Sequence, residues 1–176
     1  VSGFFPTNVS LGIDNNDALW FLGSYVPIII VSVNLPPLSV LTPISKTCIG
    51  SKFLSVSAKK LVKSLVYRDY ANDTFVVVLV RGDREVNEIK VVNELNIAEH
   101  ELVLAAEQDI YSLPSCEGFV GPVGMNNIKV LVDEEVSLMK NFVVGANKKD
   151  YHLINVNYGR DFTGKIGQFR KSCEGD

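Results

Sequence analysis

The stretch FVVVLVRGDREVNEIK, residues 75–90, decides how this chain is built. Its first six residues, 75–80, form an unbroken apolar run rich in β-branched side chains. Such a run is typical of a strand that is covered on both faces. We therefore expect residues 75–80 to lie at the centre of a β-sheet.

The second half of the stretch indicates a helix. Arg81-Gly82-Asp83 ends the apolar run, and Asp83 is a residue type that often caps a helix. Apolar residues then recur at helical spacing, at Val86, Ile89 and Val92. The pattern predicts a short helix over residues 84–92 that begins after Asp83.

The chain on either side continues the alternation of strand and helix. Short helices are predicted over residues 107–113 and 133–140, the second with acidic residues in its first turn. Further strands are predicted over residues 61–67, 101–106, 128–132, 142–144 and 151–156. The predicted fold class is α+β, with a central mixed β-sheet flanked by short helices.

Composition limits the function classes. The 176 residues are 47% hydrophobic and 21% charged, enough for one real core, and the formal net charge of −3 does not suit a free-standing nucleic-acid binder. Three widely spaced cysteines and two histidines form no recognisable zinc spacing, so we predict no metal and no cofactor. The signatures of P-loop, zinc-protease and serine-hydrolase chemistry are also absent from the sequence.

The first 36 residues differ from the rest. They contain an uncharged apolar stretch, residues 18–33, which is shorter than a bilayer span and is interrupted by Gly23 and Pro27. We predict a buried strand there, no membrane anchor, and a cytoplasmic protein. Residues 1–36 are expected to form a divergent peripheral flap, and residues 37–176 the main domain.

Three features could carry chemistry. Lys63 lies within an apolar strand pattern, where a lysine either reaches the surface or points into a cleft as a cation. The glycine-proline loop over residues 118–124 is either a plain tight turn or a set of backbone N–H groups presented to a carbonyl or phosphate. His152 lies in a strand pattern, where a histidine is structural or functional.

The order of several motifs resembles one known family. LVRGDREVNEIK (79–90), GFVGPVGM (118–125), NFVVGAN (141–147) and YHLINVNYGRD (151–161) are similar, in that order, to segments of the editing (insertion) domain of bacterial-type prolyl-tRNA synthetases. Upstream, TP at 42–43 and KLVKSLVY (60–67) resemble the opening of that domain. The resemblance runs from about residue 40 to the C-terminus and implies a YbaK-like aminoacyl-tRNA deacylase fold.

The resemblance also implies a function. It predicts hydrolytic editing of misacylated tRNA, most simply the removal of alanine from proline tRNA. The predicted partners are the acceptor end of the aminoacylated tRNA and the catalytic body of a prolyl-tRNA synthetase. A free-standing aminoacyl-tRNA deacylase remains an alternative. So does a catalytically silent module of the same fold that binds tRNA or a protein.

Site residues follow from the same resemblance. Lys63 matches the lysine that the family requires, expected to engage the 3′-terminal nucleotide or its phosphate. Gly118, Gly121 and Pro122 match the G-x-x-x-P motif, whose backbone amides are expected to polarise the ester carbonyl. His152 matches a histidine of the aminoacyl pocket, and Phe119 and Val120 are expected to bind substrate beside it.

Overall fold

A computed structural model describes residues 29–32, by their backbone, and residues 56–172. The elements are β1 (Ile29–Ser32), β2 (Val62–Asp69), β3 (Thr74–Arg81), α1 (Glu88–Leu95), β4 (Leu102–Leu104), α2 (Glu107–Ile110), β5 (Lys129–Asp133), α3 (Glu134–Leu138), β6 (Phe142–Gly145), β7 (Tyr151–Val156) and β8 (Lys165–Gly167). Short 3-10 turns cover Ala58–Lys60 and Glu99–Glu101. The boundary expected between residues 36 and 37 lies outside the described residues.

The strands form two sheets that meet at β2. Five strands pair in the order β4-β2-β3-β5-β8, and three pair in the order β1-β7-β6. A parallel bridge between Leu61, just before β2, and Val143 in β6 joins them. Parallel pairs (β3 with β5, β5 with β8) occur beside antiparallel ones, so the predicted mixed sheet with short helices is confirmed.

β3 is central, as the apolar run predicts. It pairs with β2 on one side and β5 on the other, and Val76 to Val80 are fully buried. Its side chains alternate between two clusters. We call the sheet face that holds Val77 and Leu79 the inner face; it also holds Val62, Val66, Phe142 and Val144. We call the face that holds Val78 and Val80 the outer face, and it packs against α1 and Phe169.

The predicted helix over residues 84–92 begins later than expected. α1 begins at Glu88 and its cap is Asn87, whose side chain accepts from the Lys90 N–H, so the prediction of Asp83 as the cap is wrong. The reason is a nonlocal pairing: Val86 bridges to Arg170, and the Asn87 N–H donates to the Phe169 carbonyl at 2.7 Å. The backbone before α1 is therefore held by the C-terminal segment and cannot enter a helix.

The C-terminal segment is attached through one buried carboxylate. Asp133, 1% exposed, accepts hydrogen bonds from the backbone N–H groups of Phe169 (2.8 Å) and Arg170 (3.0 Å). It also caps α3 by accepting from the Glu135 N–H. The nearby strand β8 pairs in parallel with β5, although no pattern in the sequence predicts a strand there.

Part of the apolar N-terminal stretch is a strand. β1 pairs antiparallel with β7, with Val31 opposite His152. Four residues of the segment expected to form a flap thus extend the smaller sheet. Within the described residues, no helix combines the length and the apolar character needed to cross a bilayer.

Candidate functional site

A cavity opens where two strands share one edge of β2. β6 meets the start of β2 through the bridge at Leu61, and β4 pairs with its end, from Tyr67 to Asp69. Between these two pairings β2 borders a cavity of about 490 Å³. Its lining includes Lys63 to Val66 of β2, Val143 to Gly145 of β6, Gly118 and Val120 of the loop, and His152.

Strand alternation explains why distant residues meet here. Lys63 is opposite Val80 in the register, which places it on the outer face. Gly145 lies two residues after Val143 and is opposite His152, so it shares that face. Lys63, Gly145 and His152 therefore follow one another across β2, β6 and β7 on the outer face.

The glycine-proline loop lies directly on β6 at Gly145. A Cβ atom on Gly145 would come within 2.2 Å of the Phe119 carbonyl oxygen, and one on Gly121 within 1.8 Å of the Gly145 carbonyl oxygen. No side chain fits in such a contact, so both positions require glycine. The loop is thereby held against the strand beside His152.

Asn147 fastens the loop from the other side. Its Oδ1 accepts from the Gly121 N–H (2.8 Å) and the Ser115 hydroxyl (2.9 Å). Its Nδ2 donates to the carbonyls of Gly121 (3.0 Å) and Val123 (2.8 Å), and its own N–H donates to the Phe119 carbonyl. The loop is therefore a fixed structure rather than a plain tight turn.

These hydrogen bonds limit which loop amides can meet a substrate. The Gly121 N–H is used by Asn147, and the Phe119 N–H donates to the Cys116 carbonyl at 3.1 Å. Gly118 and Val120, in contrast, both line the cavity. The predicted role of Gly121 as a donor to the ester is therefore at odds with its hydrogen bond to Asn147, and what the structure shows at Gly121 is a close approach to Gly145.

His152 is held in an environment that favours the neutral imidazole. Burial lowers the pKa of this side chain below the ordinary 6.5, an effect that the nearby Asp150 carboxylate opposes. The Phe119 ring contacts it edge-on, with ring centroids 5.5 Å apart. Its Nδ1 is buried without a hydrogen-bond partner among the described residues, which leaves a polar atom for a bound molecule to satisfy.

Charged groups line the cavity on the α1 side of Lys63. Arg84, Glu85, Glu88 and Lys171 belong to the lining there. A hydrogen bond from Lys171 (2.9 Å) lowers the pKa of Glu85, and the charge of Lys63 lowers it further. Lys63 therefore lies near enough to Glu85 for the positive charge of Lys63 to stabilise the Glu85 carboxylate at the rim of the cavity.

The structure brings most of the predicted site residues together. Lys63, Gly118, Val120 and His152 line one cavity, while Phe119 packs on His152 and Gly121 packs on Gly145. Pro122 follows Gly121 in the loop and is buried. Asn147 and Gly145 also belong to the candidate site but were not predicted from the sequence, and the only signal for them was that the motif NFVVGAN, which contains both, resembles a segment of the family.

The ionisable residues of the cavity lining are lysines, an arginine, glutamates, a tyrosine and a histidine. Cys116, near the loop, is a free thiol whose pKa is raised by burial. The described part of the chain, residues 56–172, holds no group of three His, Cys, Asp or Glu side chains placed to bind a metal ion.

Comparisons with known proteins agree with this geometry. Residues 44–162 match the sequence profile of the family described as "Aminoacyl-tRNA editing domain". A proline–tRNA ligase of Thermoanaerobacter sp. (strain X514) is 42% identical over 151 residues, which cover 84% of this chain and 26% of the ligase. This chain therefore spans about a quarter of that relative's length.

Solved structures show the same fold. A hypothetical protein, APE2540, superposes with a TM-score of 0.64 at 16% identity, over 83% of this chain and 93% of that one. A structure described as "a putative trans-editing enzyme for prolyl tRNA synthetase" superposes with a TM-score of 0.61 at 15% identity, over 82% and 87%. The chain belongs to the aminoacyl-tRNA editing domain family and is related to the insertion domain of bacterial-type prolyl-tRNA synthetases.

Proposed function

We propose that this chain hydrolyses the ester of alanine wrongly attached to proline tRNA, as the insertion domain of a cytoplasmic proline–tRNA ligase. The observation that carries the proposal is the single cavity that Lys63, the glycine-proline loop and His152 share. The family match and the relatedness to a proline–tRNA ligase support it. Its partners are then the aminoacylated acceptor end and the ligase's catalytic body.

The need for such an activity follows from the physics of selection. The aminoacylation site of such a ligase is shaped for proline, and alanine is smaller than proline by a few methylene groups. The binding free energies of the two amino acids therefore differ only by the contribution of those groups, roughly 1–3 kcal/mol each. Discrimination of that size leaves frequent errors, so a second pocket is needed that accepts alanine and excludes the proline ring. His152 lines the cavity, and we expect it to exclude the proline ring because the Phe119 ring packs edge-on against it and holds it in place.

The proposed mechanism uses two loop amides, Lys63 and His152, all of which belong to residues that line the cavity. The backbone N–H groups of Gly118 and Val120 donate to the ester carbonyl and stabilise the oxyanion that forms when water attacks. Lys63 binds the 3′-terminal nucleotide and so places the ester, and the neutral His152 Nδ1 accepts from the α-amino group. Attack by water breaks the ester bond and releases alanine and the ribose hydroxyl of the tRNA.

Greater sequence identity favours the insertion-domain form over a free-standing enzyme. The ligase relative is 42% identical, whereas the structure described as a trans-editing enzyme is 15% identical and shows the fold alone. Both forms share the same site chemistry. A silent binding module differs from both because it would release nothing.

The test is release of labelled alanine from alanyl-tRNA specific for proline, with prolyl-tRNA as the control substrate. We expect selective release by the wild-type chain and a loss of at least about 100-fold in Lys63→Ala, because a charged contact that places the ester is removed. Lys129→Ala removes an exposed strand lysine outside the cavity and serves as the matched control. Full activity in folded Lys63→Ala would contradict the role of Lys63, and no release by the wild type would support the silent module.

A further inference from the structure

The cavity is larger than an alanyl group requires. Its volume of about 490 Å³ lies within the range, roughly 300–1,000 Å³, of pockets that hold drug-sized ligands. The loop and His152 account for only one end of it. The other end is formed by the segment before α1, the first turn of α1 and outer-face residues of β2 and β4.

We infer that this second end is a subsite for the adenine ring of the tRNA's 3′-terminal nucleotide, with Glu88 as the group that recognises its exocyclic amine. The inference rests on the proposed function and specifies how that function's substrate is held. It assigns a role to Leu65, Val86, Glu88 and Leu104, none of which takes part in the chemistry at the ester.

The apolar part of the subsite is a set of side chains on one face. Leu65 and Tyr67 point to the outer face of β2, and Leu104 lies opposite Tyr67 in the register. Leu104 is 48% exposed although it lines the cavity, and Val86 lines the facing wall. Val86 is itself buried, so a flat heterocycle held here would cover the exposed surface of Leu104 and the partly exposed surface of Leu65.

Glu88 supplies the polar contact. Its Oε1 accepts a hydrogen bond from the hydroxyl of Tyr67 at 3.2 Å, and Tyr67 is only 1% exposed. A buried tyrosine therefore fixes the carboxylate at the edge of the apolar walls. Adenine carries an N6 amino group that donates hydrogen bonds, whereas guanine presents an acceptor at the same position, so a carboxylate there selects adenine.

The order of the residues suits one continuous ligand. His152 is opposite Gly145 in the register, Lys63 lies two residues after the bridge that joins β2 to β6, and Val80, on the strand under α1, is opposite Lys63. Lys63 lies between the two ends. An alanyl ester at the loop would thus place its ribose and phosphate near Lys63 and its base beyond it, at Glu88.

The test compares two RNA minihelices with the acceptor stem of proline tRNA, both charged with alanine. One ends in adenosine and the other in purine riboside, which lacks the exocyclic amine. We expect the wild-type 176-residue chain to hydrolyse the adenosine form at least about tenfold faster in kcat/KM, the lower end of what one hydrogen bond to a charged group contributes. Glu88→Gln retains an oxygen for the Tyr67 hydroxyl, and we expect it to treat both minihelices within about twofold.

The controls separate the possible failures. Glu94→Gln alters another glutamate of α1, one that pairs with Lys165 away from the cavity, and should keep the tenfold preference. Equal rates on both minihelices by the wild type, or a preference that persists in Glu88→Gln, would overturn the subsite and leave the proposed function intact. No hydrolysis of either minihelix by the wild type would overturn the proposed function together with the subsite.

Discussion

The side chain of Asn147 makes four hydrogen bonds to the segment from Ser115 to Val123, and its donors cannot be replaced by a carboxylate. Asn147→Asp keeps the shape but leaves the carbonyls of Gly121 and Val123 facing negative oxygens. We expect the free energy of unfolding to fall by about 2 kcal/mol, since unsatisfied buried groups cost about 1–3 kcal/mol. We also expect kcat for alanine release to fall at least tenfold with little change in KM, because the loop amides lose their fixed direction.

The measurements for Asn147 are urea denaturation and single-turnover deacylation. Asn126→Asp is the matched control, since Asn126 is an exposed asparagine just after the same loop. We expect it to change neither quantity appreciably. A normal kcat in Asn147→Asp would show that the loop does not need this clamp.

His152 gives a second prediction at the residue scale. Its folded-state pKa is lowered by burial, so below about pH 6.5 the unfolded chain binds a proton that the folded chain does not. The free energy of unfolding should therefore decline as pH falls from about 6.5 towards the folded pKa. The measurement is urea denaturation of wild type and His152→Gln from about pH 7.5 to about pH 5. We expect the difference in free energy of unfolding between the two proteins to shrink as pH falls, and a constant difference would contradict the lowered pKa of His152.

At the scale of elements, the site depends on how closely the glycine-proline loop approaches β6. Gly145→Ala would place a methyl group 2.2 Å from the Phe119 carbonyl oxygen, so the loop must move away from His152. We expect a loss of about 2–3 kcal/mol in stability, typical of overpacking, and faster hydrogen exchange at the loop amides. Gly124→Ala is the control: its φ of +81° makes it strained, yet its Cβ would meet nothing within 4 Å. If both variants gave equal protection at residues 118–121, the close contact would not be what positions the loop.

At the scale of the whole molecule, Asp133 holds the C-terminal end of the described chain against the sheet. That segment also forms part of one wall of the cavity. The Lys171 N–H donates to the Glu85 carbonyl, and Lys171 lines the cavity, so the segment that Asp133 holds reaches the end of the cavity beside α1. Asp133→Asn loses the charge that attracts the two N–H groups and Arg170. We expect the free energy of unfolding to fall by about 2–3 kcal/mol.

Hydrogen exchange at β8 and at residues 169–171, together with urea denaturation, checks that prediction. Glu134→Gln is the matched control, because Glu134 is an exposed carboxylate next in sequence that accepts from the Gln168 side chain. We expect it to change stability by less than about 0.5 kcal/mol. Unchanged protection at 169–171 in Asp133→Asn would mean that other contacts hold this segment.

Several features of the molecule could be predicted because they depend on neighbours in the sequence. Residues 75–80 are apolar on both faces, and only a central strand can bury both faces at once. The strand at 151–156 has the predicted bounds for a similar reason, as alternation is a local property. The resemblance of several ordered motifs to one family also implied that Lys63, the loop and His152 belong to one site.

Other features were decided by contacts between distant parts of the chain. The helix after Gly82 begins at Glu88 because residues 169–171 occupy the backbone before it, and β8 exists because β5 offers it an edge. Asn147 could not be identified as the clamp from its own neighbours, since the carbonyls it binds lie 24 and 26 residues away. The sequence by itself determined most of the strands, the fold class and the chemical groups of the candidate site. The tertiary structure alone decided where α1 begins, which loop amides are already hydrogen-bonded and which side chains share the cavity. Each of these depends on contacts between segments far apart in the chain.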